Sequence, residues 1–168
     1  MVILGIDPGY AIVGYGVINK NDKTGVCSLI DYGAIETDKS EALPTRLAMI
    51  ADGIKALVEN YKPDAIAVEE LFFNTNITTA IAVAEARGVI ICTAHKLGVK
   101  ISEYTPLQVK QAVVGYGRAE KKQVIAMVTS LLKLEKPPKP DDTADAVAIA
   151  ICHARSSGSR LKEYFNKR

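Results

Sequence analysis

A chain of 168 residues has the length for one domain with a single sizeable core. Its 48% hydrophobic and 24% charged residues exclude a disordered or collagen-like chain. The net charge of +2 conceals an asymmetry: residues 1–107 hold 9 basic and 13 acidic side chains, residues 108–168 hold 12 and 6. An acidic half joined to a basic half suits a polyanion held over a cation site, although basic helices are as often plain solvated surface. No apolar run reaches the roughly 18 residues of a membrane span, and the N-terminus lacks the signature of a secretion signal, so a cytoplasmic protein is expected. Cys27, Cys92 and Cys152 are odd in number and far apart. They read as reduced cysteines, not as a disulfide set or zinc site.

In chain order, Val2–Asp7 predicts a buried strand and Pro8-Gly9 a turn. Ile12–Asn19 and Val26–Thr37 predict two further strands of an antiparallel meander, separated by the polar turn Asn21–Gly25. Leu43, Leu47, Ile50, Ile54, Leu57 and Val58 recur at helical spacing and predict a helix from Glu41 to Asn60. The strand Ala65–Glu69 follows, then a helix from Asn76 to His95 that carries Ala80, Ala84 and Gly88 at intervals of four. That small-residue stripe permits close approach of another helix, in this chain or in a second subunit. A strand at Lys100–Glu103 precedes a helix opening near Pro106, a favoured first-turn residue. Val113–Arg118 reads as a glycine-hinged loop, Ala119–Leu134 as an amphipathic helix, and Lys136–Pro140 as a rigid connector. The last helix is expected from Asp142 to the region of Arg155, with the basic tail 156–168 mobile beyond a domain of residues 1–155. This order predicts an α/β fold with a mixed five-stranded sheet, antiparallel meander plus parallel strands, and helices on both faces, as in the ribonuclease-H-like layout.

Four acidic residues stand out against this frame. Asp7 and Glu69 end apolar strands, and parallel neighbours would bring both carboxylates out at one sheet end, where ligand sites of α/β folds occur. Strand alternation points the adjacent Glu70 to the opposite face. Asp142 and Asp145 are three residues apart and share a helix face. Acidic residues at a helix start commonly serve as caps, a role expected of Asp141. Asp145 lies in a nearly all-apolar helix, where a charge needs a partner. Carboxylates gathered by folding imply a hard divalent cation with oxygen ligands. Phe72-Phe73 follows the acidic strand end; the rings are core anchors, or one stacks on an unpaired base for about 1–3 kcal/mol. Lys110, Arg118, Lys121 and Lys122 are candidate phosphate contacts, the last two at a helix start whose N–H groups also attract phosphate. His95 and His153 lack a second ligand at metal spacing and read as structural.

Together the stretches ILGIDPGYAIVGYG (3–16), AVEELF (67–72), ARG (86–88), VKQAVVGYG (109–117), AEK (119–121), LLKL (131–134) and DTADAVAIA (142–150) closely resemble the RuvC-type Holliday-junction resolvases, in the right order over residues 1–155. The resemblance implies a homodimeric endonuclease of ribonuclease-H-like fold that nicks two strands of a four-way DNA junction symmetrically. It implies catalytic, metal-binding carboxylates at Asp7, Glu69, Asp142 and Asp145, a stacking aromatic at Phe72, and junction-contacting lysines at Lys110 and Lys121. It implies a dimer interface on the helix of Ala80, Ala84 and Gly88, and cooperation with the RuvA–RuvB branch-migration complex in recombination and repair. Phe73 doubles the aromatic, leaving open which ring stacks, and the tail beyond Arg155 matches no motif of the family.

The expected chemistry is an in-line displacement with two Mg²⁺ ions about 3.5–4 Å apart, Mn²⁺ substituting, that leaves 5′-phosphate and 3′-hydroxyl ends. Asp7 would bridge the ions, with Glu69 on one side and Asp142 and Asp145 on the other. Other readings are a different ribonuclease-H-like nuclease, a non-catalytic junction-binding module, and a sugar-kinase or actin-like ATPase. The ATPase reading needs two such domains and a second phosphate loop, where this sequence offers one domain and no second loop, and a pure binder of polyanions gains nothing from four buried negative charges.

Overall fold

The computed structural model describes residues 1–71 and 77–156, with the side chains of residues 77–79 left aside. Five strands, β1 (Val2–Asp7), β2 (Ile12–Lys20), β3 (Cys27–Glu36), β4 (Ala65–Glu69) and β5 (Lys100–Tyr104), form one sheet in the order β3-β2-β1-β4-β5. β1, β2 and β3 pair antiparallel, whereas β4 and β5 run parallel to β1, so the sheet is mixed as expected. Helix α1 (Leu43–Tyr61) bridges the meander and β4, and α2 (Ile77–Lys96) is the crossover between β4 and β5. Three helices follow: α3 (Pro106–Val114), α4 (Lys121–Leu131) and α5 (Asp141–Ser156).

Alternation along the central strands sorts the core into two layers. Leu4 and Ile6 of β1 and Ile66 and Val68 of β4 point to one face, where they meet Ile50 and Ile54 of α1 and Ala86, Ile90 and Ala94 of α2. Ile3 and Ala67 point to the other face, against α3, α4 and the apolar flank of α5. Ala146 through Ala150 are all fully buried, which identifies α5 as a central helix despite its charged first turn.

Local signals explain the helix limits. Thr105 opens α3 with a reciprocal cap: its hydroxyl accepts from the Gln108 amide at 3.2 Å, and the Gln108 side chain accepts from the Thr105 amide at 2.8 Å. Gly115, at φ 98°, closes α3, so Val113 and Val114 belong to the helix and not to the hinge loop. α4 is shorter than its apolar pattern predicts. The Gln123 side chain folds back onto the Glu120 amide at 2.8 Å, and Lys133 adopts the left-handed conformation just past the helix. Asp141 is the first residue of α5 rather than its cap; the Thr143 amide and hydroxyl both bond the Pro140 carbonyl, at 3.0 and 2.6 Å. Ser156 still belongs to α5, and the rest of the basic tail lies outside the described residues.

Candidate active site

β1 and β4 are parallel neighbours with Ile6 beside Val68, so the next residues, Asp7 and Glu69, leave the sheet side by side at one end. Both lie on the α5 face, since Ile6 and Val68 fill the opposite layer. Asp142 and Asp145 come to them from the first turn of α5, which crosses β1 and β2.

Glycines on the sheet let the helix come this close. Gly5 pairs with Gly16 and Asp7 with Gly14 across the antiparallel β1–β2 ladder, which clears a strip on the α5 face. A Cβ at Gly5 would lie 2.1 Å from the Ala146 carbonyl oxygen, one at Gly14 2.2 Å from that of Asp142, and one at Gly16 2.5 Å from Val147 Cγ2. With no side chain on this strip, the α5 backbone rests on the sheet backbone, and the helix delivers its two aspartates to the end of β1.

The other three acids all lie near enough to Asp7 to act on its carboxyl. Burial, then the charges of Glu69, Asp145 and Asp142, push the Asp7 carboxyl from 3.8 up to about 8, with Lys121 opposing. Glu69 is pushed from 4.5 to about 7 by burial and by Asp145, with Lys110 and Lys121 opposing. A cleft of about 190 Å³ opens beside them, lined by Glu69, Lys110, Lys121 and Asp145 over an apolar floor that includes Val109 and Val124.

These sequence features match the model of a family described as crossover junction endodeoxyribonuclease RuvC over residues 3–153. The chain belongs to the RuvC family. The RuvC of Alkaliphilus metalliredigens is 58% identical over 156 residues, spanning 93% of this chain and 94% of that one. The structure of Thermus thermophilus RuvC in complex with a Holliday junction substrate superposes with a TM-score of 0.87 at 36% identity, over 94% of each chain. The yeast mitochondrial Holliday junction resolvase Ydc2 shares the fold, with a TM-score of 0.72 at 16% identity over 98% of this chain and 81% of that one. A RuvC-family nuclease implies a divalent metal ion.

The donor set fits such an ion in kind. It offers only carboxylate oxygens, and Asp7 keeps its proton near neutral pH unless a further cation offsets its three acidic neighbours. Among the described residues, however, no three acidic, histidine or cysteine side chains converge tightly enough to hold an ion as they stand. Lys121 Nζ instead lies 2.9 Å from Asp145 Oδ2 and 3.7 Å from Asp141 Oδ2. Burial works against the Lys121 charge, but the Asp145 hydrogen bond and the charges of Asp145, Asp141 and Asp142 outweigh it and hold the ammonium above its usual range.

The other residues singled out in the sequence separate by position. Lys110, one turn into α3, and Lys121 both line the cleft. Lys122 is 82% exposed and pairs with Glu120 at 2.9 Å, a solvated surface contact outside the cleft lining. Arg118 is exposed in the turn between α3 and α4. Phe72 and Phe73 lie outside the described residues. On α2, Ala86, Ile90 and Ala94 are fully buried, whereas Ala84 and Gly88 are exposed, Ala80 is half-buried and Ile81 is 64% exposed. The small-residue stripe therefore faces away from the core of its own chain, and a Cβ at Gly88 would meet nothing within 4 Å. Among the described residues no helix is long and apolar enough to cross a membrane.

Proposed function

We propose that this chain resolves four-way DNA junctions by paired, symmetric nicks that leave 5′-phosphate and 3′-hydroxyl ends, acting as a homodimer with Mg²⁺. The observation that carries the reading is the placement of Glu69, Asp142 and Asp145 near enough to act on the buried Asp7 carboxyl, pushed up to about 8, beside a lysine-lined cleft. The junction-bound structure of a relative at 36% identity supports the choice of substrate.

Asp7, Glu69, Asp142 and Asp145 would hold the metal, with Asp7 central because all three of the others act on it. Bound there, the metal supplies charge stabilisation at the scissile phosphate and acidifies the attacking water. The protein contributes placement. The β1–β4 register fixes Asp7 against Glu69, and the glycine strip fixes α5 above them. Lys110 and Lys121 present ammonium groups at the cleft, where a phosphate backbone approaching the carboxylates needs positive charge. Lys121 can exchange its carboxylate partner for a phosphate oxygen as the strand enters. The open face of α2, with Ala80, Ala84 and Gly88, is the surface we assign to the second subunit. A two-fold dimer places two such sites in the symmetry of a four-way junction. Phe72 or Phe73 would stack on an unpaired base. RuvA–RuvB would be the partner complex in the cytoplasm, in recombination and repair.

Purified protein is incubated with a synthetic four-way junction in Mg²⁺ or EDTA, beside linear duplex and RNA–DNA hybrid. Mg²⁺-dependent paired nicks confined to the junction are expected. Tight binding with no cleavage across several junction sequences, in Mg²⁺ and in Mn²⁺, would replace the nuclease with a binding module. Cutting of the hybrid would move the protein to a different ribonuclease-H-like activity.

A further inference from the structure

The Glu69–Glu70 peptide marks the point where β4 ends and the ladder stops restraining the backbone. Both of its polar groups are nevertheless held. The Glu70 amide donates to the Tyr104 carbonyl of β5 at 2.8 Å. The Glu69 carbonyl accepts from Arg87 Nε at 3.2 Å. Arg87 comes from α2, on the opposite side of the sheet from the carboxylate cluster, and its guanidinium also pairs with Glu103 of β5. Glu103 stands beside Val68 in the ladder, one residue before the level of Glu69. The arginine is 19% exposed and Glu103 45%, so the bond to the Glu69 carbonyl sits at the more sheltered end of this arrangement.

A peptide plane held at its carbonyl and at its amide cannot rotate freely about the flanking dihedrals. Those dihedrals orient the Cα–Cβ bond from which the Glu69 carboxylate is aimed, a route by which Arg87 would act on the carboxylate without touching it. We propose that Arg87 is a positioning residue for Glu69: it locks the Glu69–Glu70 peptide from α2 and thereby sets the carboxylate in its metal-ligating direction. The proposal rests on the reading of Glu69 as a metal ligand. An arginine suits the task because its planar fork reaches a carbonyl and a carboxylate together, which a lysine cannot do with the same geometry.

The test compares Arg87→Ala, Arg87→Lys and Glu103→Gln with the unmodified protein and with Asp7→Asn. Binding of Mn²⁺ in the absence of DNA is followed by the EPR signal of the free ion; junction affinity in EDTA, thermal unfolding, and kcat and KM for junction cleavage are measured in parallel. Arg87→Ala is expected to weaken Mn²⁺ binding and lower kcat, each by about tenfold or more, as loss of a group that orients a metal ligand does. Junction affinity in EDTA and KM should stay within about twofold. Arg87→Lys should recover only part of the loss, and Glu103→Gln, which leaves the bond to the Glu69 carbonyl in place, should be the mildest. Unchanged Mn²⁺ affinity in Arg87→Ala, with binding still abolished in Asp7→Asn, overturns the role of Arg87 alone. A parallel fall in unfolding temperature, junction affinity and Mn²⁺ binding reduces it to a fold-stabilising contact. Absence of Mn²⁺ binding in the unmodified protein removes the metal reading and the role of Arg87 with it.

Discussion

Asp7→Asn separates what the acidic cluster costs from what it does. The folded chain holds the Asp7 carboxyl up to about 8 against an ordinary value of 3.8, chiefly because it is buried beside Glu69, Asp145 and Asp142. Below the ordinary value both folded and unfolded chains carry the proton, and the aspartate imposes no penalty. Above it the unfolded chain releases a proton that the folded chain keeps, so stability falls by about 1.4 kcal/mol for each pH unit. The fall ends once the pH passes the folded value, and over the interval from pH 5 to pH 8 it amounts to about 4 kcal/mol. Asparagine keeps the shape and has no proton to lose, so the variant lacks this slope. Glu69, pushed up to about 7, destabilises both proteins in the same direction and largely cancels in the difference.

The assay is urea unfolding in EDTA at pH 5 and pH 8. The stability of Asp7→Asn relative to the unmodified protein should rise by about 4 kcal/mol across that interval, while junction cleavage is abolished and junction binding in EDTA persists. Adding Mn²⁺ at a hundred times its dissociation constant should raise the stability of the unmodified protein by about 2.7 kcal/mol and that of the variant far less. A stability difference that does not change with pH would refute the electrostatic reasoning. Near-normal cleavage by the variant would refute the assignment of Asp7 to the metal site.

Gly14→Ala places a methyl group 2.2 Å from the Asp142 carbonyl oxygen, so the first turn of α5 must move. Overpacking of this kind costs about 1–3 kcal/mol in stability, and displacing Asp142 and Asp145 by about 1 Å should lower kcat roughly a hundredfold; kcat within twofold of the unmodified protein would show that the glycine strip does not set the site. Lys110→Ala should flatten the dependence of log junction affinity on log salt by about 0.9, and an unchanged slope would return this lysine to the solvated surface. Gly88→Arg meets open space within its own chain, so it should leave the unfolding temperature nearly unchanged while sedimentation reports a monomer; a persisting dimer would move the interface away from this face of α2.

The parts of the site legible in the sequence were those that depend on strand pattern alone. Ala65–Glu69 is an apolar run closed by a charge, and it forms β4 with those limits. Asp7 likewise closes β1, and parallel pairing then brings the two acids together. Asp145 betrayed itself as a charge on an otherwise apolar helix. What was hidden needed the register. Gly5, Gly14 and Gly16 read as motif glycines until the β1–β2 pairing lines them up beneath α5. The Asp141 cap failed because the Pro140 carbonyl takes the Thr143 amide and draws Asp141 into the helix, where its carboxylate turns to Lys121. Arg87 was part of a matching stretch, yet nothing in the order of residues says that a side chain from α2 reaches the carbonyl at the end of β4.

Lys121 ties these pieces into one electrostatic design. A cluster of four acids at a sheet end is tolerable only with positive charge near it, and two lysines from α3 and α4 line its cleft. One of them is already bonded to Asp145. A divalent cation held by these carboxylates would compete with the Lys121 ammonium for Asp145. Lys121 lines the cleft, where a phosphate oxygen would be an alternative partner for its ammonium. On the proposed function Lys121 would pair with Asp145 or with a phosphate, not with both at once, and its pairing with a carboxylate is consistent with its being a phosphate contact.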